Sequence, residues 1–331
     1  MGGNALKHLG TERKSAAQYA EILTYILQGL ERFCKRATPV PAYRLKPDFG
    51  DADILFTLHE ACAVEDVKKT IRRIFSPRDV IYNGGVYTFD YDNFQIDLIH
   101  TTAELFAVSL NYYSYNDLGN LVGRIAHKMG FKYGHLGLLL PIRKTDSHMG
   151  EEIVISRSTG KILTFLGFDV NGFCDGFDTL EDIFEYVITS KYFNKDIFSF
   201  ENLNHINRTR NRKRKVYAQF LEYLDKREDL PTFEFSEDKY VYLEQAKQYF
   251  PEANISLEID RVNAKIARED FIRSKFNGDI IQDCINIDKK NLGEFISKFK
   301  KICPDEETFR CWVEYRTQEE INDRIRLEYL K

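Results

Sequence analysis

Two aspartates one residue apart, Asp51 and Asp53, open the run DADILFTL, and a third, Asp97, lies inside NFQIDLIH. Both runs read as strands, in which residues two apart point to the same face. Asp51 and Asp53 then project together while Ala52 and Ile54 turn to the core. In the second run Phe94, Ile96 and Leu98 take one face and Gln95 and Asp97 the other. If the strands are neighbours, three carboxylates converge, and such a cluster repels itself unless a cation neutralises it. Hard divalent ions with oxygen ligands do this, magnesium above all beside phosphates. Two such ions activate an attacking hydroxyl and neutralise a leaving pyrophosphate in an in-line displacement. The chemistry expected is metal-dependent nucleotidyl transfer: a 3′-hydroxyl attacks the α-phosphate of a nucleoside triphosphate. Asp51, Asp53 and Asp97 would hold two Mg2+ ions, with Mn2+ as a substitute. A D-x-D pair alone is common at strand starts and turns. The glycine before it, the basic and aromatic lead-in and the later strand give it weight.

The elements that must position these residues follow from periodicity. Residues 15–35 carry Tyr19, Ile22, Leu23, Ile26, Leu27, Leu30 and Phe33 at helical spacing. PVPAYRLKPDFG (39–50), with three prolines, reads as a loop, and 51–58 as a strand. A helix is predicted over 64–75 and a hairpin at Asn83-Gly84-Gly85, with a further strand over 93–100. Together these describe a small α+β domain on a largely antiparallel or mixed sheet. Beyond residue 101 the pattern is mainly helical. Residues 117–130 form a helix capped by Gly130, and a short β region lies around 133–155. Helices follow near 158–167, over 179–192 (Thr179 as N-cap, Asp182 at N3) and over 216–224. DLPTF (229–233) reads as a linker, and the rest of the chain as charged helices.

Over about residues 40–200, with an insertion near 150–178, the segment order resembles the family X DNA polymerases, the polymerase β-like nucleotidyltransferases. AYRLKPDF-GDADILFT resembles their metal-binding segment and FQIDLI the strand of their third aspartate. FAVSLNYYSYNDLGNLVGRIAHKMGFKYGHLGL (106–138) resembles their aromatic segment and nucleotide-facing helix, and TLEDIFEYVITSKYFNKDIF (179–198) their closing helix. The resemblance implies that Asp51 and Asp53 bind both metals, and that Asp97 binds the catalytic one and orients the primer hydroxyl. It implies a triphosphate contact at Arg44 and a sugar-bracketing pair at Tyr112 and Tyr113. It places Asp117 and Asn120 towards the base and Arg124 towards the template side. Read without the resemblance, Asp117 is an N-cap and Arg124 a solvated charge.

The chain departs from the family where a Gly-Ser pair should contact the triphosphate, for it reads Val40, Pro41 and Ala42. Proline has no N–H and alanine no hydroxyl. Candidate substitutes are Gly2, Gly3 and Asn4 with Lys7, and more weakly Ser114 and Lys46. Only about forty residues precede the motif, so no lyase domain or base-excision lyase activity is expected. RTRNRKRK (208–215) holds Arg208, Arg210, Arg212, Lys213, Arg214 and Lys215 without an acid, a pattern suited to nucleic-acid phosphates; Tyr192, Phe193 and Tyr217 nearby offer stacking. KFNGDIIQDCINIDKKNLGEFISKFK (275–300) is faintly similar to helical tails of RNA nucleotidyltransferases, and ordinary helical packing accounts for it equally well.

Composition sets the bounds. The 331 residues carry a net charge of -4, so any attraction to polyanions has to be local. Six cysteines without a C-x-x-C pair argue against a zinc site and read as buried free thiols. No apolar run spans a bilayer, no secretory leader is evident, and Leu6 breaks the myristoylation pattern, so a cytoplasmic location is expected. The expected fold is α+β: a polymerase β-like palm with its N-terminal helix (1–105), a thumb-like nucleotide- and nucleic-acid-binding subdomain (106–200) and a mainly helical C-terminal domain (201–331). The expected partners are a nucleoside triphosphate and a DNA or RNA 3′ end, with no membrane. Nucleotidylation of a protein or small molecule, or a catalytically weakened nucleic-acid-binding module, are the alternatives.

Overall fold

The computed structural model describes residues 5–142 and 150–331. Gly2, Gly3 and Asn4 lie outside the described residues. The chain is a mixed α+β protein whose elements run β1 (Lys14–Ser15), α1 (Ala16–Leu30), β2 (Cys34–Pro39), β3 (Asp48–Phe49), β4 (Asp51–Leu58), α2 (Val67–Phe75), β5 (Val80–Asn83), β6 (Val86–Tyr91) and β7 (Phe94–His100). There follow α3 (Phe106–Tyr113), α4 (Leu118–Lys128), β8 (Lys132–Gly134), β9 (Gly137–Ile142), β10 (Glu151–Ser156), α5 (Thr159–Phe165), α6 (Val170–Asp175), α7 (Leu180–Ile188), α8 (His205–Asn211), α9 (Lys215–Asp225) and α10 (Tyr240–Tyr249). The last helices are α11 (Ile255–Lys275), α12 (Gly278–Ile285), α13 (Lys289–Lys300), α14 (Glu306–Glu314) and α15 (Gln318–Tyr329).

The chain divides into two compact units, one spanning 1–141 with 152–255 and the other 142–151 with 256–331. The division falls at 255, and residues 106–200 stay with the sheet. Helix α3 explains this, since its Phe106 closes a small apolar cluster with Leu55 of β4 and Ile99 of β7.

The main sheet has the order β2-β4-β7-β6-β5. Its central pair, β4 with β7, is parallel, and the other pairs are antiparallel. The β5–β6 hairpin turns through Gly84 and Gly85, both at positive φ (55° and 89°), the backbone an Asn-Gly-Gly turn supplies without a Cβ clash. One face of the sheet packs on α1 and α2 through Ile22, Ile26, Leu30, Ile71, Phe56 and Phe89, all buried. Burying such aliphatic and aromatic side chains stabilises by about 1.5–3 kcal/mol each. Ser15 caps α1 through a complete capping box with Gln18.

The expected helix over 15–35 is shorter, ending at Leu30. Residues 34–39 instead form the edge strand β2, which one β-branched residue, Thr38, and two exposed cations, Lys35 and Arg36, hid from a periodicity reading. The capping box at Thr179 and Asp182 forms as read, and Gly130 closes α4 at φ 96°. The stretch 229–233 is irregular but tied down: the Phe233 N–H donates to the Phe193 carbonyl at 2.8 Å. Of the six free cysteines only Cys34 is fully buried, and Cys174 is exposed. The second unit has its own core, in which Phe276, Phe299, Phe309, Ile281, Val313 and Ile325 meet. No helix among the described residues is long and apolar enough to cross a membrane.

Candidate metal centre

In the β4–β7 register Asp53 stands opposite Asp97, and Asp51 opposite Gln95. Parallel partners share a face, so the two strands carry all three carboxylates to one spot. One carboxylate oxygen from each of Asp51, Asp53 and Asp97 lies within 4.8 Å of the others.

The environment is electrostatically costly for three charges. Burial, then the charges of Asp51 and Asp97, push the Asp53 carboxyl up to about 8. Asp97 is pushed to about 6, chiefly by burial and further by Asp51, against hydrogen bonds from Thr88 and Gln95 that favour its ionised form. Thr88 faces Asp97 from β6. The Gln95 amide donates to both Asp97 oxygens, at 3.1 and 3.0 Å, and its carbonyl accepts the Leu6 N–H at 3.3 Å. Gln95 and Leu6 are themselves buried, so the third aspartate is held by a dry, fully bonded group.

The Asp53 Oδ1 is buried without a hydrogen-bond partner. An orphaned buried carboxylate oxygen is expensive, and a cation relieves it. The donors are all carboxylate oxygens, which suits magnesium or manganese rather than a soft metal.

Two more side chains join the centre: Tyr19, which periodicity assigns to the core, and Lys46, a sequence candidate for the triphosphate. Tyr19, read from sequence as one more residue of the α1 core stripe, stacks on Phe49 at 3.7 Å. Its hydroxyl is raised well above the ordinary tyrosine value by burial, then by Asp53 and Asp51. The stripe gives no sign of this, because a helix pattern reports which face is apolar and not where its first turn meets the sheet. Lys46 lies over the Phe49 ring at 4.4 Å. Burial lowers its ammonium below the usual lysine value, while Asp51 and Asp53 oppose that shift.

The remaining sequence candidates divide. Tyr113 belongs to the centre: burial, then Tyr112 and Asp53, raise its hydroxyl to about 12. Tyr112 turns away, edge-on to Tyr133 at 5.3 Å and against Gly119, where a Cβ would collide with the Tyr112 carbonyl oxygen. Arg44 pairs with Asp178 and donates to the Asp175 carbonyl. Ser114 donates to the Leu110 carbonyl at 2.7 Å, and Lys7 is exposed.

Helix α4 presents its three candidates to the segment 197–214. Asp117 makes no side-chain capping bond and instead pairs with Arg214. Asn120 donates to Asn211 at 3.2 Å. Arg124 is buried and donates to the Ile197 carbonyl from Nε at 3.3 Å and Nη2 at 3.0 Å, and burial lowers its guanidinium below the usual arginine value. The reading of Arg124 as a solvated charge is thereby replaced by a structural one.

The basic run is split by the same contacts. Arg208, half-buried, donates to the Leu203 carbonyl at 2.9 Å, and Arg214 is held by Asp117. Arg210, Arg212, Lys213 and Lys215 remain exposed. Of the aromatics read as stacking partners, Tyr192, Phe193 and Tyr217 are all buried, and the Tyr217 hydroxyl donates to the Phe198 carbonyl at 2.6 Å. Beside Pro41 a cavity of about 310 Å³ is lined by Asn111, Ser114, Tyr115, Thr159 and Phe173.

No family model matches the chain, and no curated protein matches it.

Proposed function

We propose that the first unit is a polymerase β-like nucleotidyltransferase that moves a nucleoside monophosphate from a nucleoside triphosphate to a nucleic-acid 3′-hydroxyl. The observation that carries this reading is the register that sets Asp53 opposite Asp97 on parallel strands, with Asp51 on the same face. Asp51 and Asp53 would hold both divalent ions and Asp97 one of them, and bound ions supply neutralisation of the triphosphate and of the leaving pyrophosphate. The hydroxyl oxygen forms a bond to the α-phosphorus, and the bond from that phosphorus to the bridging oxygen breaks, releasing pyrophosphate. Asp97, raised by burial to about 6 and so suited to exchange a proton, with Thr88 and Gln95 favouring its ionised form, orients the hydroxyl and takes its proton. Tyr113, packed on the cluster of Leu55, Ile99 and Phe106 and reached by the Asp53 charge, suits a sugar contact, and the cavity at Pro41 gives room for part of a nucleoside. Arg210, Arg212, Lys213 and Lys215 offer phosphate contacts to the acceptor strand.

A second reading, transfer to a protein or small-molecule acceptor, is favoured by one observation: Asp117, Asn120 and Arg124 are engaged within the chain and not displayed to a base pair. One assay separates the two. Labelled nucleoside and deoxynucleoside triphosphates are incubated with the protein, Mg2+ or Mn2+, and DNA, tRNA or protein acceptors. Label is expected on a nucleic-acid end and absent with Asp97→Ala. Label on protein alone would overturn the first reading.

A further inference from the structure

The backbone that enters the metal centre offers few donors to a phosphate. The Val40 N–H donates to the Asp53 carbonyl at 2.9 Å, and Pro41 has no N–H at all. The amides of Arg44, Leu45 and Lys46 donate to Phe177, Asp178 and Tyr43. The Arg44 guanidinium is committed to Asp178 and Asp175. Side-chain charge from elsewhere can add to what this loop offers an anion at the aspartates.

Two cations are held where that charge is needed. The ribbon of β1 and β3 pairs Lys14 with Phe49 and Ser15 with Asp48. It brings Arg13 alongside the strand that becomes β4. Arg13 reaches Asp48 with Nε at 2.7 Å and Nη2, and this leaves Nη1 over Gly50. A Cβ on Gly50 would lie 2.8 Å from that nitrogen, so the glycine before Asp51 makes room for the guanidinium. Lys46, on the other side of the same short loop, sits over Phe49 at 4.4 Å. Among the described residues it closes no ion pair. The charges of Asp51 and Asp53 reach Lys46, and Lys46 in turn favours the ionised form of Asp53.

We propose that Arg13 and Lys46 form the cradle for the β- and γ-phosphates of the triphosphate, in place of backbone and hydroxyl donors. The proposal rests on the reading of Asp51, Asp53 and Asp97 as a nucleotidyl-transfer centre. Charge balance supports it. Two divalent ions slightly over-neutralise three carboxylates, and a triphosphate then brings more negative charge than the ions can meet. A fork-shaped guanidinium and a compact ammonium are the usual partners for that excess.

The test measures binding of inorganic tripolyphosphate and of a nucleoside monophosphate in Mg2+ by titration calorimetry, using the full chain. Lys46→Gln and Arg13→Gln are each expected to weaken tripolyphosphate binding about tenfold or more, the loss of one charge-assisted contact. Monophosphate binding should change by less than about twofold on the same scale. Gly50→Ala displaces the guanidinium without deleting it and should weaken tripolyphosphate in the same direction, by less. It stands in for Arg13→Gln if loss of the Asp48 pair unfolds the ribbon. Wild-type tripolyphosphate affinity in folded Lys46→Gln and Gly50→Ala proteins would overturn the cradle. The transfer assay fails independently: loss of tripolyphosphate binding in these variants without label on any acceptor keeps the cradle and removes the polymerase reading. Label transfer with an unchanged KM for the triphosphate in both variants does the reverse.

Discussion

Asp53→Asn should make the metal-free protein more stable and remove most of its response to metal. The Asp53 carboxyl is raised from 3.8 to about 8 by burial and by Asp51 and Asp97. A carboxyl raised on folding contributes stability that is complete below 3.8 and lost as pH climbs through its folded value. At pH 7 the shift costs the metal-free fold on the order of 4 kcal/mol relative to an ordinary carboxyl. Asparagine keeps the shape, carries no charge and can donate to the neighbouring carboxylates, so about 2–4 kcal/mol should return. For a unit of this size that is a rise in Tm of roughly 5–10 °C. Wild type should gain about 2.7 kcal/mol from Mg2+ at a hundredfold excess over Kd, and the variant far less. Thermal unfolding followed by circular dichroism in chelator and in Mg2+, from pH 5 to 9, reads both effects. The wild-type metal-free Tm should fall as pH rises through this range, and the variant's slope should be shallower. A variant that melts below wild type in chelator, or that gains as much from Mg2+, refutes the reasoning.

Other outcomes follow from single contacts. Gly119→Ala should destabilise by about 1–3 kcal/mol, seen as a lower denaturation midpoint, because its Cβ meets the Tyr112 carbonyl oxygen in a packed site. Arg124→Met should cost roughly 1–3 kcal/mol by leaving the Ile197 carbonyl without its two donors; an unchanged denaturation midpoint would count against a structural role. Replacing Arg210, Arg212, Lys213 and Lys215 together by alanine should leave stability within about 0.5 kcal/mol. The same change should flatten the salt dependence of duplex binding by up to ~0.9 per lost phosphate contact. An unaltered salt slope in fluorescence anisotropy would show that those four side chains do not touch the acceptor.

Much of the site was legible because strand geometry is short-range. Asp51 and Asp53 share a face by alternation alone, and NFQIDLI states which side Asp97 takes. That β4 and β7 are adjacent and parallel was not written in either strand; it follows from the intervening β5–β6 hairpin, which returns the chain to the middle of the sheet. Tyr19 was obscure for a related reason. It sits in an apolar stripe, and only its packing on Phe49 carries it to the aspartates, whereas Lys46 was already a sequence candidate for the triphosphate. Strand β2 was hidden by polar residues that an edge position tolerates.

The contrast between α4 and the sheet bears on how far the family resemblance reaches. Carboxylates brought this close, with the Asp53 Oδ1 buried and unbonded, carry a standing cost that a cation relieves. Asp117, Asn120 and Arg124 pose no such demand, since Arg214, Asn211 and the Ile197 carbonyl satisfy them within the chain. The segment 197–214 that supplies these partners also carries the exposed Arg210, Arg212 and Lys213, so the proposed nucleic-acid contact there and packing on α4 would be properties of one element. Freeing α4 for a base pair means breaking the Asp117–Arg214 pair and both Arg124 bonds. With those contacts kept, the proposed transfer would rest on the three aspartates, and selection of a nucleotide on groups around Tyr113 and the cavity at Pro41.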